Sequence, residues 1–367
     1  MSAQQIQNSR LHWLGRQLFN REDPAAYFDL LLERINPMWV QGYTPARVEQ
    51  IIQETADTRT FVLKPSRRWS GFRAGQHVNI GTDVNGVHQQ RTFSLSSAPE
   101  LWQQQGLITL TIKRLPGGLV TNWLHDHLET GSVLSLGDAF GDFLLPEQLQ
   151  PLLFIAGGSG ITPILSQLET LAAQNCLAPV SLLYYVRTRA DIIARDRLEA
   201  LARRLPDLTL NIITTHAQEQ PRYLCAQDLE AVPDIHSRQV YLCGPGGLMD
   251  LAGTLLSSQG VAEDRIHCTF FSAPVVDTAN LNPGGLVQFD LSHLEVDSTG
   301  DANLLDIAEA AGLNPKHGCR MGICHQCSCR KSSGTVINTL TGKVSGPGEE
   351  TVQLCISVPR GPVALDI

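Results

Sequence analysis

The sequence predicts a multidomain chain: a helical N-terminal extension, a closed antiparallel β-barrel, a doubly wound α/β domain and a small cysteine-bearing C-terminal domain. Three observations predict it. Short β-prone runs separated by turn residues fill about 44–147, and strands alternate with helices from about 150 to 272. Five of the nine cysteines (Cys319, Cys324, Cys327, Cys329 and Cys355) crowd the last fifty residues or so. A length of 367 residues accommodates this many units at roughly 100–200 residues per domain.

Composition narrows the function classes. With 43% hydrophobic and 17% charged residues the chain should fold. A net charge of −8 argues against general nucleic-acid binding, which needs a basic surface to displace counterions. No apolar run approaches the ~20 residues of a membrane helix. Met1 to Trp13 lacks a charged-then-apolar signal profile, so a cytoplasmic protein is expected.

Each element has its own signal. In residues 1–42, Leu11, Leu14 and Leu18, then Tyr27, Leu30, Leu31 and Ile35 after Pro24, recur at helical spacing. Residues 43–147 carry β-prone runs at Val48 to Gln53, Thr58 to Lys64, Gln76 to Ile80 and Leu107 to Lys113. Asn85-Gly86 marks a hairpin, and Thr121 to Leu128 is the one clear helix. Residues 148–273 read as strands Leu152 to Ala156, Val180 to Val186, Thr209 to Thr214 and Gln239 to Cys243. Helices Pro163 to Ala173 and Ile192 to Arg204 lie between them, with a last one from Gly247. Residues 274–285, with Pro283-Gly284-Gly285, read as a linker before the unit at 286–367.

Four motifs carry chemistry. Cys319-x4-Cys324-x2-Cys327 with Cys355 downstream suits four thiolates around a [2Fe–2S] cluster; zinc is the rival metal, but paired C-x2-C knuckles are absent. Arg91-Thr92-Phe93-Ser94 offers a cation, an aromatic wall and a hydroxyl, as a flavin requires, although Phe93 also reads as barrel core. Lys113 and Pro116-Gly117-Gly118-Leu119-Val120-Thr121 add an anion site at a helix start. Gly157-Gly158-Ser159-Gly160-Ile161-Thr162-Pro163 after a buried strand reads as a phosphate cradle or a plain βα turn. Cys243-Gly244-Pro245 with Met249 ends another strand, where a thiol either meets a ligand or fills the core.

Together these motifs, in this order, resemble the ferredoxin–NADP reductase superfamily joined to a plant-type ferredoxin. This is the arrangement of flavin-dependent reductase components that feed oxygenases and desaturases. The resemblance covers about 44–367. It implies a flavin barrel, an NAD(P)H-binding α/β domain and a β-grasp [2Fe–2S] domain. Arg91, Phe93 and Ser94 would bind the flavin, Ser94 beside N5, with Phe93 standing where the family usually has Tyr. Lys113, Gly118, Val120 and Thr121 would hold the rest of it, FAD being favoured over FMN because the turn suits a pyrophosphate. Ser159, Gly160 and Thr162 would meet the nicotinamide nucleotide. Cys243 would lie near its C4, and Gly244, Pro245 and Met249 would shape that pocket, with Phe270-Phe271 at the domain's end. Arg187 and Arg195 favour NADPH over NADH, since no carboxylate ends the strand at Val186.

The implied activity is NAD(P)H-driven electron transfer: a hydride to flavin, then single electrons through the cluster to a partner protein. The N-terminal segment, with Trp13, Phe19, Tyr27, Phe28 and Trp39, either packs on the barrel and only stabilises it or, as its resemblance to the leader of reductases serving membrane fatty-acyl desaturases implies, docks a desaturase as that partner. The alternative is an oxygenase, and a non-enzymatic redox sensor is a distant third. Lys316, Arg320, Arg330 and Lys331 around the cluster suggest a basic rim that steers an acidic partner.

Overall fold

A computed structural model describes residues 35–84, 86–216, 221–271, 284–318, 320–322 and 325–367. The expected N-terminal helices, most of the linker, Cys319 and Cys324 lie outside the described residues.

The first unit contains β1 (Thr44–Thr55), β2 (Thr58–Pro65), β3 (His77–Val84), β4 (Val87–Ser94), α1 (Pro99–Gln105), β5 (Ile108–Lys113), α2 (Leu119–His127) and β6 (Val133–Leu136). The strands pair antiparallel in the order β4-β3-β6-β1-β2-β5. An antiparallel bridge between Leu95 and Leu110 joins the two ends, so the sheet closes as a barrel and no edge is left open. Phe61, Leu63, Val78, Ile80, Leu110 and Leu136 fill it, with Leu124 of α2 packed among them. Gly86 takes φ +78° in the β3–β4 turn, as the hairpin signal predicts.

α1 is a helix that the sequence reading missed. It occupies a segment with no strand pattern. Its signals are a proline in the first turn and Gly106, whose left-handed φ of 67° lets its N–H reach the Trp102 carbonyl. α2 begins at Leu119, two residues earlier than predicted.

The second unit runs β7 (Leu152–Gly157), α3 (Ile161–Ala173), β8 (Val180–Val186), α4 (Arg195–Arg204), β9 (Leu208–Thr214), α5 (Ala226–Glu230), β10 (Gln239–Cys243), α6 (Gly246–Ser258) and β11 (Ile266–Thr269). All its strands are parallel, ordered β11-β10-β7-β8-β9. Leu152, Phe154 and Ala156 face one core, Leu153 and Ile155 the other. Burial on both faces is why this strand reads as an unbroken apolar run. The order reverses between β7 and β10, so the crevice of the doubly wound sheet opens beyond the C-terminal ends of these two strands.

The third unit has β12 (Gly285–Phe289), β13 (Leu294–Ser298), α7 (Leu304–Ala310), β14 (Ser328–Asn338), β15 (Glu350–Gln353) and β16 (Ser357–Leu365), ordered β13-β12-β16-β14-β15. β12 and β16 are parallel and the other neighbours antiparallel. One helix packs on this mixed sheet through Leu304, Leu305 and Ala308, the β-grasp arrangement expected.

Lys331 of β14 is fully buried, and its Nζ donates to the carbonyls of Gly334 (2.8 Å), Gly346 (3.0 Å) and Gly348. The ammonium pins the glycine-containing loop 346–348 across the sheet. Lys331→Met would remove the donor from these three carbonyls, at roughly 1–3 kcal/mol for each one that water does not reach. The expected outcome is a clearly lowered unfolding temperature for the C-terminal unit, with the far-UV spectrum of the folded protein unchanged.

Candidate functional site

β4 carries the first group of predicted residues. Arg91 is exposed, Phe93 packs part-buried against the barrel core, and Ser94 is buried. Opposite Ser94 in the β3–β4 ladder stands His77, only 1% exposed. Its Nε2 lies 3.3 Å from Oγ1 of Thr269, the last residue of β11, so barrel and α/β domain meet at this point. The imidazole also stacks on Phe140 at 6.2 Å. Burial depresses its pKa to about 4 against the opposing pull of Asp142, so the ring is neutral near pH 7. Sequence reasoning passed over His77 because it opens a strand, where a polar residue reads as solvent-facing.

Ser94 Oγ and His77 Nδ1 are buried without a hydrogen-bond partner among the described residues. An unpaired buried polar atom costs roughly 1–3 kcal/mol, and a polar ring edge placed there would remove that cost. The residues therefore fit a flavin. The turn before α2 fits its phosphates. Gly117 takes φ +73°, and a Cβ on Gly118, the N-cap, would meet Thr121 Oγ1 at 2.6 Å. No side chain caps the helix, which leaves its first amides for an anion. Thr121 Oγ1 accepts from the Leu115 N–H, and Val120 is core. Lys113 departs from expectation: its Nζ is 3.1 Å from Asp57, so its charge is already engaged.

The second group lies at the crevice. β7 runs through Gly158, at φ +53°, into a 3-10 turn over Gly158–Gly160 and then α3, again without a capping side chain. A Cβ on Gly160 would drive into the Cys243 carbonyl, and one on Gly157 into Pro245 and Leu248. The two turns thus pack backbone to backbone, which only glycine permits. Thr162 Oγ1 donates to the Ser159 carbonyl at 3.0 Å. Cys243 departs from expectation too. It is wholly buried in the core, burial pushes its thiol well up, and it offers neither exposed surface nor a thiolate. Met249 is likewise core, while Pro245 is exposed at the rim.

Beyond β8, Arg187 is exposed, and Arg195 donates to the Arg189 carbonyl. Asp191, the nearest carboxylate, is occupied with the N–H and hydroxyl of Thr188 in a capping box.

In the third unit, Cys327 and Cys355 are buried with their sulfurs 3.3 Å apart, far beyond the ~2 Å of a disulfide. Around them the chain is tightly wound: Arg320, Gly322 and His325 all take φ between 55° and 76°. Gln353 holds the Gly322 carbonyl at 2.9 Å, and a Cβ on Gly322 would strike Ile356 and Leu340. Two converging thiols under such a loop fit a cluster.

The expected basic rim is only in part what the structure shows: Lys316 is exposed, and the other three residues are engaged or buried. Arg320 is paired with Glu309, Arg330 with Glu349 and Asp366, and Lys331 is buried. Carboxylates distant in sequence neutralise Arg320 and Arg330.

Comparison with known proteins agrees with this division. A family described as oxidoreductase FAD-binding domain matches residues 45–144, oxidoreductase NAD-binding domain matches 154–253, and 2Fe-2S iron-sulfur cluster binding domain matches 288–360. An NADPH oxidoreductase of Mycobacterium tuberculosis is 35% identical over 341 residues, covering 92% of this chain and 88% of that protein. The glycine betaine monooxygenase reductase subunit of Chromohalobacter salexigens is 28% identical over 89% of this chain and 96% of its own. The structure of phthalate dioxygenase reductase superposes with a TM-score of 0.61 at 20% identity, covering 89% of this chain and 98% of that one.

Two outcomes are expected. Gly160→Ala forces the two crevice turns apart, so the KM for the dinucleotide rises by about tenfold or more in steady-state assays. The folded protein keeps His77 neutral down to about pH 4, whereas the unfolded chain protonates near 6.5. This contribution is therefore complete above pH 6.5 and declines as pH falls toward 4, by about 3 kcal/mol in all. Urea unfolding of His77→Phe should show a correspondingly shallower loss between pH 7 and 4.5.

Proposed function

The chain belongs to the family of NAD(P)H oxidoreductases that join an FAD-binding, an NAD-binding and a [2Fe–2S]-binding domain, and from that premise we propose that it is the NADPH-oxidising reductase component of an oxygenase. It is an oxidoreductase with FAD, NAD(P)H and a [2Fe–2S] cluster as its cofactors. Bound in these domains, the flavin accepts a hydride and gives up electrons singly, and the cluster carries single electrons onward.

The protein's part is to bind and orient. Ser94 sets a hydroxyl at the flavin's reactive edge, and Arg91 and Phe93 flank it. Gly118 and Thr121, at the start of α2, receive the pyrophosphate, while the charge of Lys113 stays with Asp57. Ser159, Gly160 and Thr162 receive the dinucleotide phosphates at the start of α3, and Gly244, Pro245 and Met249 bound the nicotinamide pocket. Buried Cys243 backs that pocket as a neutral thiol. Cys319, Cys324, Cys327 and Cys355 hold the cluster. Arg187 and Arg195 favour a 2′-phosphate, and the commitment of Asp191 to its own turn leaves no nearby carboxylate for a free ribose hydroxyl.

The observation that carries the oxygenase reading is the match to the glycine betaine monooxygenase reductase subunit over 96% of its length. The desaturase client rests on the N-terminal forty residues, of which 1–34 lie outside the described residues, and the similarity to the monooxygenase reductase subunit favours an oxygenase as the leading reading.

Cys355→Ser should abolish the cluster spectrum and coupled turnover while NADPH still reduces a small dye; loss of dye reduction as well would contradict the modular reading. Coupled assays with purified oxygenase and acyl-desaturase components test the client. Turnover with a desaturase alone would overturn the oxygenase assignment.

A further inference from the structure

The barrel and the α/β domain are tied at a place that none of the predicted cofactor residues occupies. α3 begins at the glycine turn, and Thr162, Ser166 and Glu169 follow on one face at i, i+4 and i+7. On the barrel side, the strand that presents Arg91 to Ser94 continues into Ser96, Ser97 and Ala98. Ser166 Oγ donates to the Ser97 carbonyl at 2.7 Å, and the Ala98 N–H donates to Glu169 Oε2 at 3.1 Å. Arg197 of α4 donates through Nε to Glu169 Oε1 at 2.9 Å and through Nη2 to the Ser96 carbonyl.

A second carboxylate completes the circuit. Glu54 of β1 accepts from the Ala194 N–H, at the start of α4, at 3.0 Å and from Thr60 Oγ1 at 2.6 Å. The hydroxyls of Thr60, Thr111 and Ser96 then run as a buried chain, at 2.8 and 2.9 Å, back to the residue whose carbonyl Arg197 holds. These ties flank a cavity of about 580 Å³ between the two domains, lined by Glu54, Ser97, Glu169 and Arg197 among others. Polar ties thus bridge the two domains on either side of this opening.

We propose that Glu169 and Arg197 form a positioning clamp that fixes the α3 nucleotide turn against the Arg91–Ser94 strand, and so sets the approach of the nicotinamide to the flavin. The proposal rests on the cofactor reading above. The clamp touches no cofactor; it acts through the two elements it joins. Its geometry matches the need, because each joined element leads within a few residues to a predicted contact: Ser94 is two residues from Ser96, and Thr162 one helical turn from Ser166. Near-attack geometry is unforgiving, and a shift of about 1 Å can cost on the order of a hundredfold in rate.

The test uses full-length holoprotein carrying Glu169→Ala, Glu169→Gln or Arg197→Lys. Single-turnover reduction of the bound flavin by NADPH is followed by stopped flow. The expected result for Glu169→Ala is a limiting rate down about tenfold or more. The dinucleotide Kd should stay within about twofold, flavin content should be normal, and the long-wavelength nicotinamide–flavin absorption should be weaker. Glu169→Gln keeps an acceptor for Ala98 and should recover part of the rate. In flavin-stripped protein, amide exchange at Ala98 should accelerate in Glu169→Ala, a readout independent of turnover. A limiting rate within about twofold of wild type, or unchanged exchange at Ala98, overturns the clamp. If Glu169→Ala does not fold, the same rate, absorption and exchange comparisons on Arg197→Lys decide. Failure of NADPH to reduce the wild-type flavin would instead sink the cofactor reading.

Discussion

Hydride transfer tolerates almost no error in the distance between donor and acceptor, and two domains folded around different cores must meet that tolerance together. The parallel sheet delivers the ends of β7 and β10 to one crevice by reversing its strand order between them. Glycines at 157 and 160 let those ends close on each other with no room for a side chain. At the same edge, Thr269 reaches His77, which is paired with Ser94 across the barrel ladder. The crevice is thus defined by backbone packing and buried hydrogen bonds, both of which resist small displacements.

Two pairs of buried polar groups differ in what they do. Arg238 and Lys331 are satisfied entirely by carbonyls of their own units and serve the local fold. Ser94 and His77 keep unpaired atoms at the domain junction, where a bound polar ring edge would pair them. In the C-terminal unit Arg320 and Arg330 are bound to carboxylates. A partner docking near Cys327 and Cys355 therefore meets paired charges at Arg320 and Arg330 rather than the cationic rim the local sequence suggested.

Much of the architecture was legible in the chain. Strands buried on both faces give the continuous runs at 152–156 and 180–186, and the glycine turns after β7 and β10 mark the crevice. The hairpin at Asn85-Gly86 and the α3 start were visible through turn chemistry alone. What escaped was short or long-range. α1 has seven residues and a helical pattern too brief to register. β11 has four and no alternation. The charge balance of the cluster rim was hidden because Arg330 finds Asp366 and Arg320 finds Glu309 only after folding. Cys243 was read as a candidate contact from its place at a strand end, and tertiary burial alone shows that its thiol is closed off. The cysteine spacing signalled a cluster directly, because three of the four expected ligands are written into a single loop.

The most direct measurement is an anaerobic titration of the purified protein with NADPH, followed together by visible absorption and electron paramagnetic resonance. One chain carrying both centres predicts that the flavin bands bleach and a reduced [2Fe–2S] signal grows in the same sample. Flavin bleaching with a cluster that stays oxidised however much NADPH is added would contradict electron passage between the domains.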